Sequence, residues 1–164
     1  MKSRFRLRLL IHCLLLILSG CILGPASARA DDILLSTGQT VYVPIYSHIY
    51  SGVKGRPFDL AATLSIRNTD PKYPILLVSV EFYDTDGKLV KQYLDTPVML
   101  NVLASTRFVI TEGEKAGGSG ANFMVVWKSD RPVNSPVIEG VMIGTHSGQG
   151  ISFVSRGQVI REDH

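Results

Sequence analysis

From Phe58 onward, apolar and polar residues alternate. In Phe58-Asp59-Leu60-Ala61-Ala62-Thr63-Leu64-Ser65-Ile66-Arg67 the even-numbered residues are apolar, and their odd-numbered neighbours are small or charged. A period of two buries one face and leaves the other wet, which predicts a β-strand. Asn68-Thr69-Asp70-Pro71 interrupts the pattern with turn formers, and Pro74 leads into a second predicted strand, Ile75–Tyr83. Asp84-Thr85-Asp86-Gly87 then predicts a tight turn, and Lys88–Leu94 a strand closing a hairpin over it.

The same reading extends to both sides of this pair. Val41–Tyr46 predicts a strand whose Pro44 donates no ladder hydrogen bond, so it belongs at a sheet edge or carries a bulge. If the extended chain continues, Val41, Val43, Ile45 and Ile49 share one face, and Tyr42, Tyr46, His48 and Tyr50 share the other. Further strands are expected at Pro97–Asn101, Ser105–Thr111, Phe123–Trp127, Val137–Gly144 and Gly150–Ser155. Loops are expected at 51–57, 117–120, 129–136 and 145–149. No helical period of useful length follows the leader. About eight short strands with Pro, Gly and Asp turns predict an all-β fold, an immunoglobulin-like antiparallel β-sandwich, with a small β-barrel as the alternative.

Charge changes meaning once the leader is separated. The chain carries 17 Lys and Arg against 14 Asp and Glu, and Lys2, Arg4, Arg6, Arg8 and Arg29 all precede Asp31. From Asp31 onward the balance is 12 against 14, which excludes the basic surface expected of a nucleic-acid binder. Met1–Arg8 is a basic start and Leu9–Leu18 an apolar run too short to span a bilayer, so residues 1–30 read as an export signal. Ala28-Arg29-Ala30 has the small-x-small form of a signal-peptidase site. Leu18-Ser19-Gly20-Cys21 resembles the lipobox of bacterial lipoproteins, in which Cys21 is acylated and anchors the chain. Ile22 following it leans towards the outer membrane, by the same resemblance. Residues 31–40 are then a lead-in and 41–160 a single β domain. Both cysteines, Cys13 and Cys21, lie in the leader, so the β domain has neither disulfide nor thiolate chemistry.

Candidate chemistry is sparse. The β domain offers His48, His146 and His164 without Cys or a zinc-type spacing. His48 and His146, with Met124 or Met142, are weak metal candidates. Ser147 adjoins His146, and a triad with His48 and Asp59 requires assembling unrelated segments. Gly144-Thr145-His146-Ser147-Gly148-Gln149-Gly150 lacks the Lys of a phosphate loop and links strands, so its glycines read first as turn formers. Asp59, Glu81 and Glu139 fall at strand positions facing solvent. The tyrosines of 42–50 cover the flank of a core or line a binding strip, since Tyr joins apolar area to a polar tip.

Four strings in order, Val41–Tyr50, Leu60–Asp70, Gly117–Phe123 and Val141–Thr145 leading to Gln149–Gly157, resemble the bacterial domain-of-unknown-function family numbered 3124. The resemblance spans Val41 to Ile160 and implies one domain and an exported or lipoprotein location. It supplies no activity or catalytic residue. The expected function is a non-enzymatic envelope module, without cofactor, that binds a protein, peptide or envelope component in the periplasm or on the outer membrane. Its candidate contacts are Tyr42, Tyr46, His48, Tyr50, Ser119, Asn122, His146 and Ser147. A periplasmic metal-handling protein or hydrolase is the alternative, and whether the chain is an enzyme at all stays open. If the tyrosine strip, the 117–123 loop and the 145–157 segment converge, they make one surface.

Overall fold

The computed structural model describes residues 35–163 apart from 52, 53, 115 and 147, and apart from the side chains of 51 and 146. The chain divides into two units, Met1–Asp32 and Ile33–His164, and all that is described belongs to the second. The expected signal, its two cleavage sites, Cys21, Ser147 and His164 therefore lie outside the described residues.

Twelve strands occur among the described residues: β1 Leu35–Pro44, β2 His48–Ser51, β3 Arg56–Asp59, β4 Ala61–Arg67, β5 Ile75–Tyr83, β6 Leu89–Gln92, β7 Val98–Leu100, β8 Ser105–Ile110, β9 Asn122–Asn134, β10 Val137–His146, β11 Gln149–Arg156 and β12 Gln158–Asp163. Six form one sheet in the order β12-β1-β9-β5-β6, with β7 also on β5; four form a second in the order β11-β10-β4-β8; β2 and β3 make a separate hairpin. Every pairing is antiparallel. The result is an all-β, sandwich-like architecture.

The alternation in 58–67 is met residue by residue: Phe58, Leu60, Ala62, Leu64 and Ile66 are all buried. From the facing sheet come Ile75, Leu77, Val80, Phe82, Phe123, Val125 and Trp127, all inaccessible to solvent. Phe82 and Phe123 pack at a tilt of 41°, with 5.1 Å between centroids. Tyr93 bridges the sheets, 5.5 Å from Phe123 of one and 5.2 Å from Phe108 of the other. The Trp127 indole N–H donates to the buried Gln39 Oε1 at 3.3 Å, and the Gln39 amide donates to Glu162 at 2.9 Å and to Ser135 at 3.1 Å.

Four expectations are corrected. The strand holding Pro44 is not an edge, since β1 lies between β12 and β9, and of the two expected arrangements it is the irregular one that is met, with the register shifting between Thr40 and Val41. Pro44 is tolerated because it is the last residue of the strand, and the β12 ladder already ends at Tyr42. There the Pro44 carbonyl accepts the Ser155 hydroxyl instead. The strand also starts at Leu35, inside the expected lead-in of 31–40. Secondly, the two strands joined by the turn formers after Arg67 do not pair, because β4 and β5 belong to opposite sheets, and 68–74 is a corner between sheets. Thirdly, β9 continues through the expected loop at 129–136, because Gly38 faces Lys128 while Ser36 faces Val133. The intervening 129–132 bulge outwards, and pairing resumes beyond them. Fourthly, β12 continues past Ile160 and pairs with β1.

Candidate functional site

Strand direction sorts the connections onto two poles. One holds the segment after β1, the β2–β3 hairpin, the β5–β6 turn, the loop before β9 and the β10–β11 hairpin. The other holds the start of β1, the corner from β4 to β5, the β9–β10 turn and the end of β12.

At the first pole the chain leaves β1 at Pro44 and is captured by the 117–121 loop. The Ile45 N–H donates to the Ala121 carbonyl at 2.8 Å and the Ser47 N–H to that of Gly118 at 3.2 Å. The buried Ser47 hydroxyl adds a 2.5 Å bond to the same Gly118 carbonyl. The loop is in turn locked to the β5–β6 turn: Thr85 donates its N–H and its hydroxyl to the Gly117 carbonyl, each at 3.0 Å, and accepts from the Gly120 N–H at 3.1 Å. The glycines serve this approach. A Cβ on Gly117 would lie 2.4 Å from Phe82 Cζ and 2.8 Å from Ala121 Cβ. The loop is therefore built into the core edge at Gly117, where a surface loop was expected.

The aromatic residues divide. Tyr42 sits within β1, opposite Met124 and Gln158, and does not join the strip expected of it. The alternation of Val41, Val43 and Ile45 runs on through Ser47, whose side chain also turns inwards and reaches Gly118. Tyr46, beyond the strand end, packs edge-on against Phe153 of β11 at 5.7 Å. His48 and Tyr50, two apart on β2, meet at right angles with a 5.2 Å centroid separation and share a 3.2 Å hydrogen bond between Nε2 and Oη. Tyr50 is 64% exposed and Tyr46 36%. Asp59 pairs opposite His48 and is half-buried, as are Glu81 and Glu139, which were expected to face water. Glu81 accepts the Tyr83 hydroxyl at 2.6 Å, and that bond pushes the tyrosine pKa up.

The pole thus brings together Tyr46, His48, Tyr50, the half-buried Ser119 and Asn122, with Asn122 opening β9 between Pro44 and Tyr83. His146 ends β10 at the same pole, paired with Gln149 across a tight hairpin in which Gly148 takes a φ of 80°. That left-handed conformation explains one glycine of the 144–150 run as a turn former. Gly144 abuts Phe58 and Leu60, so the β10–β11 hairpin rests beside the β2–β3 hairpin. Sequence reasoning missed Phe153 and Thr85, whose contacts join segments far apart in the chain. Among the described residues no three His, Cys, Asp or Glu are grouped to hold a metal ion.

No curated protein matches the chain. Among solved structures, the one described as "Crystal Structure of Thermotoga maritima 1070" is similar at 15% identity, covering 76% of this chain and 97% of that one, with a TM-score of 0.46. A family model described as "Protein of unknown function (DUF3124)" matches residues 38–160, a span that contains all but the outer ends of β1 and β12. The chain belongs to the DUF3124 family.

Proposed function

We propose that this protein is an exported cell-envelope module that binds a protein, peptide or envelope component without chemistry of its own. The observation that carries this reading is the convergence of Tyr46, His48 and Tyr50 with the 117–121 loop and the β10–β11 hairpin at one pole. Tyrosines exposed on a rigid frame give large contact area at low entropic cost, and loops held by a β scaffold are where binding residues concentrate. Tyr42, placed apart, is the weakest member of the contact set. Export rests on the leader: residues 1–30 are the signal, with acylation at Cys21 favoured over cleavage after Ala30, and the domain stands in the periplasm or on the outer membrane. The immunoglobulin-like assignment rests on two facing antiparallel sheets with a buried tryptophan. A metal-handling role has no group of three ligands among the described residues to support it.

The experiment is native and intact mass spectrometry on protein purified gently from its own envelope. A diacyl or triacyl mass starting at Cys21 and a persistent adduct support the reading. The adduct should be lost in Tyr46→Ala with the melting temperature nearly unchanged. A bare monomer starting at Asp31 removes the anchor and leaves the binding role without support.

A further inference from the structure

An antiparallel sheet that faces water on one side ordinarily presents polar residues there. The outer face of the four-stranded sheet does so only in part, because an apolar row lies beside a charged one. Val109, Thr63, Val141 and Val154 face one another in a single row across all four strands, and Ile143 lies in the next row between Ala61 and Ser152. Val109, Val154 and Ile143 are each at least half exposed.

The row on the other side is charged: Arg107, Ser65, Glu139 and Arg156. Arg67 stands diagonally from Arg107 on the same face, about 7–8 Å away from backbone to backbone and within reach of a long side chain. A shallow cleft lies between these two arginines, lined also by Thr63, Ser65 and Ser105. Ser65 is 8% exposed, and no hydrogen bond is made by its hydroxyl among the described residues. Arg67, Arg107 and Arg156 likewise have no ion-pair partner among the described residues. Glu139 is the one carboxylate among the outward-facing described residues of these strands, and it lies opposite Arg156 on the far side of Ser65. Glu139 is also diagonal to Arg67, so three arginines share one carboxylate on this face and a net positive charge remains, with Arg107 furthest from the carboxylate.

Two guanidinium forks and a waiting hydroxyl suit a tetrahedral oxyanion. A flat apolar row directly beside them suits a ligand whose anion is attached to hydrocarbon. We propose that this face docks on an anionic phospholipid surface, with phosphate headgroups at the Arg67/Arg107/Ser65 cleft and the Val109–Val141–Val154 row with Ile143 lying against the acyl boundary. The surface is separate from the aromatic pole and does not depend on what that pole binds.

The test uses the chain beginning at Asp31, the product of cleavage after Ala30, so that no acyl chain contributes, with phosphatidylglycerol and phosphatidylcholine vesicles. The expected result is co-sedimentation with phosphatidylglycerol about 10- to 30-fold stronger than with phosphatidylcholine, as two lipid-facing arginines would give, and weakened by salt. Arg67→Gln with Arg107→Gln should remove that preference, while Ile143→Ser with Val154→Ser should lower binding to phosphatidylglycerol and leave the salt dependence. The near-ultraviolet signal of Trp127 monitors folding, and Arg107→Gln alone serves if the double variant is unfolded. Equal binding to both vesicles, or full binding by the arginine variant, overturns the proposal. So does a melting temperature raised by inorganic phosphate without vesicle binding, which would mark a site for a soluble oxyanion.

Discussion

Where β4 passes to β5, the chain is held by buried amide and carboxylate groups that satisfy backbone. Asn68 donates to the Tyr73, Leu100 and Asn101 carbonyls at 2.9–3.3 Å and accepts the Asp70 N–H at 2.9 Å. Asp70 accepts the N–H groups of Lys72, Tyr73 and Asn134 at 2.8–3.0 Å. At the opposite pole the fastening combines backbone bonds with the two short hydroxyls of Ser47 and Thr85, and the aromatic side chains are left outside it. One end therefore spends its polar side chains on closing the fold, while the other keeps His48, Tyr46 and Tyr50 at the surface. A residue with every hydrogen-bonding atom engaged inside has nothing to offer a partner, so a ligand has more to grip at the aromatic end.

The strongest way to break this comparison is Asn68→Ala. Leaving a corner of buried carbonyls and the Asp70 N–H without partners should cost about 3 kcal/mol, read as a lowered urea midpoint with unchanged slope. A neutral effect would remove the distinction between the poles. Gly117→Ala comes next, since the added methyl meets the buried Phe82 ring and overpacking of this kind costs about 2 kcal/mol. Calorimetry should show a lowered melting temperature. No change would mean that the 117–121 loop is free to shift and is not part of the frame.

Acid should act on one pole more than the other. The Asn134 N–H, then that of Lys72, hold the Asp70 pKa below its usual 3.8. Its stabilisation is complete above that value and is lost as pH falls through the lowered folded value. Asp70→Asn should flatten the acid limb of the stability curve below about pH 4, and an unaltered limb would assign acid sensitivity elsewhere. The smallest effect belongs to Tyr50→Ala, an exposed position where stability should change by less than about 0.5 kcal/mol while envelope ligand is lost. A large drop in stability would return this tyrosine to a structural role.

These contrasts also explain what could be read in advance. β4 was legible because a period of two is a local signal, and β5 and the Asp84–Gly87 turn because an apolar run bounded by turn formers is one too. β12, Gln158-Val159-Ile160-Arg161-Glu162-Asp163, mixes polar and apolar residues without period and is a strand only because β1 offers it a ladder. The reach of β9 to Asn134 was hidden by turn-forming Ser129, Asp130 and Pro132, which the bulge places outside the pairing. The division of β4 and β5 between sheets depends on Asn68 and Asp70, whose composition reads equally well as a hairpin turn. The convergence at the aromatic pole was open to conjecture from composition, but Phe153 and Thr85 carried no signal, because each matters only through a residue distant in the chain. Family membership was readable from strings of sequence.

The central position of β1 bears on the order of events during synthesis. This strand is made first, yet it pairs only with β9 and with β12, the last to emerge, and the Thr37 hydroxyl closes on the Asp163 carbonyl 126 residues further along. Partners so far apart make folding slow. On the export route proposed above that delay is useful: β1 has no partner until β9 has been made, and the sheet gains its β12 edge only with residues 158–163, so the chain stays extended for longer than one built from neighbouring hairpins would.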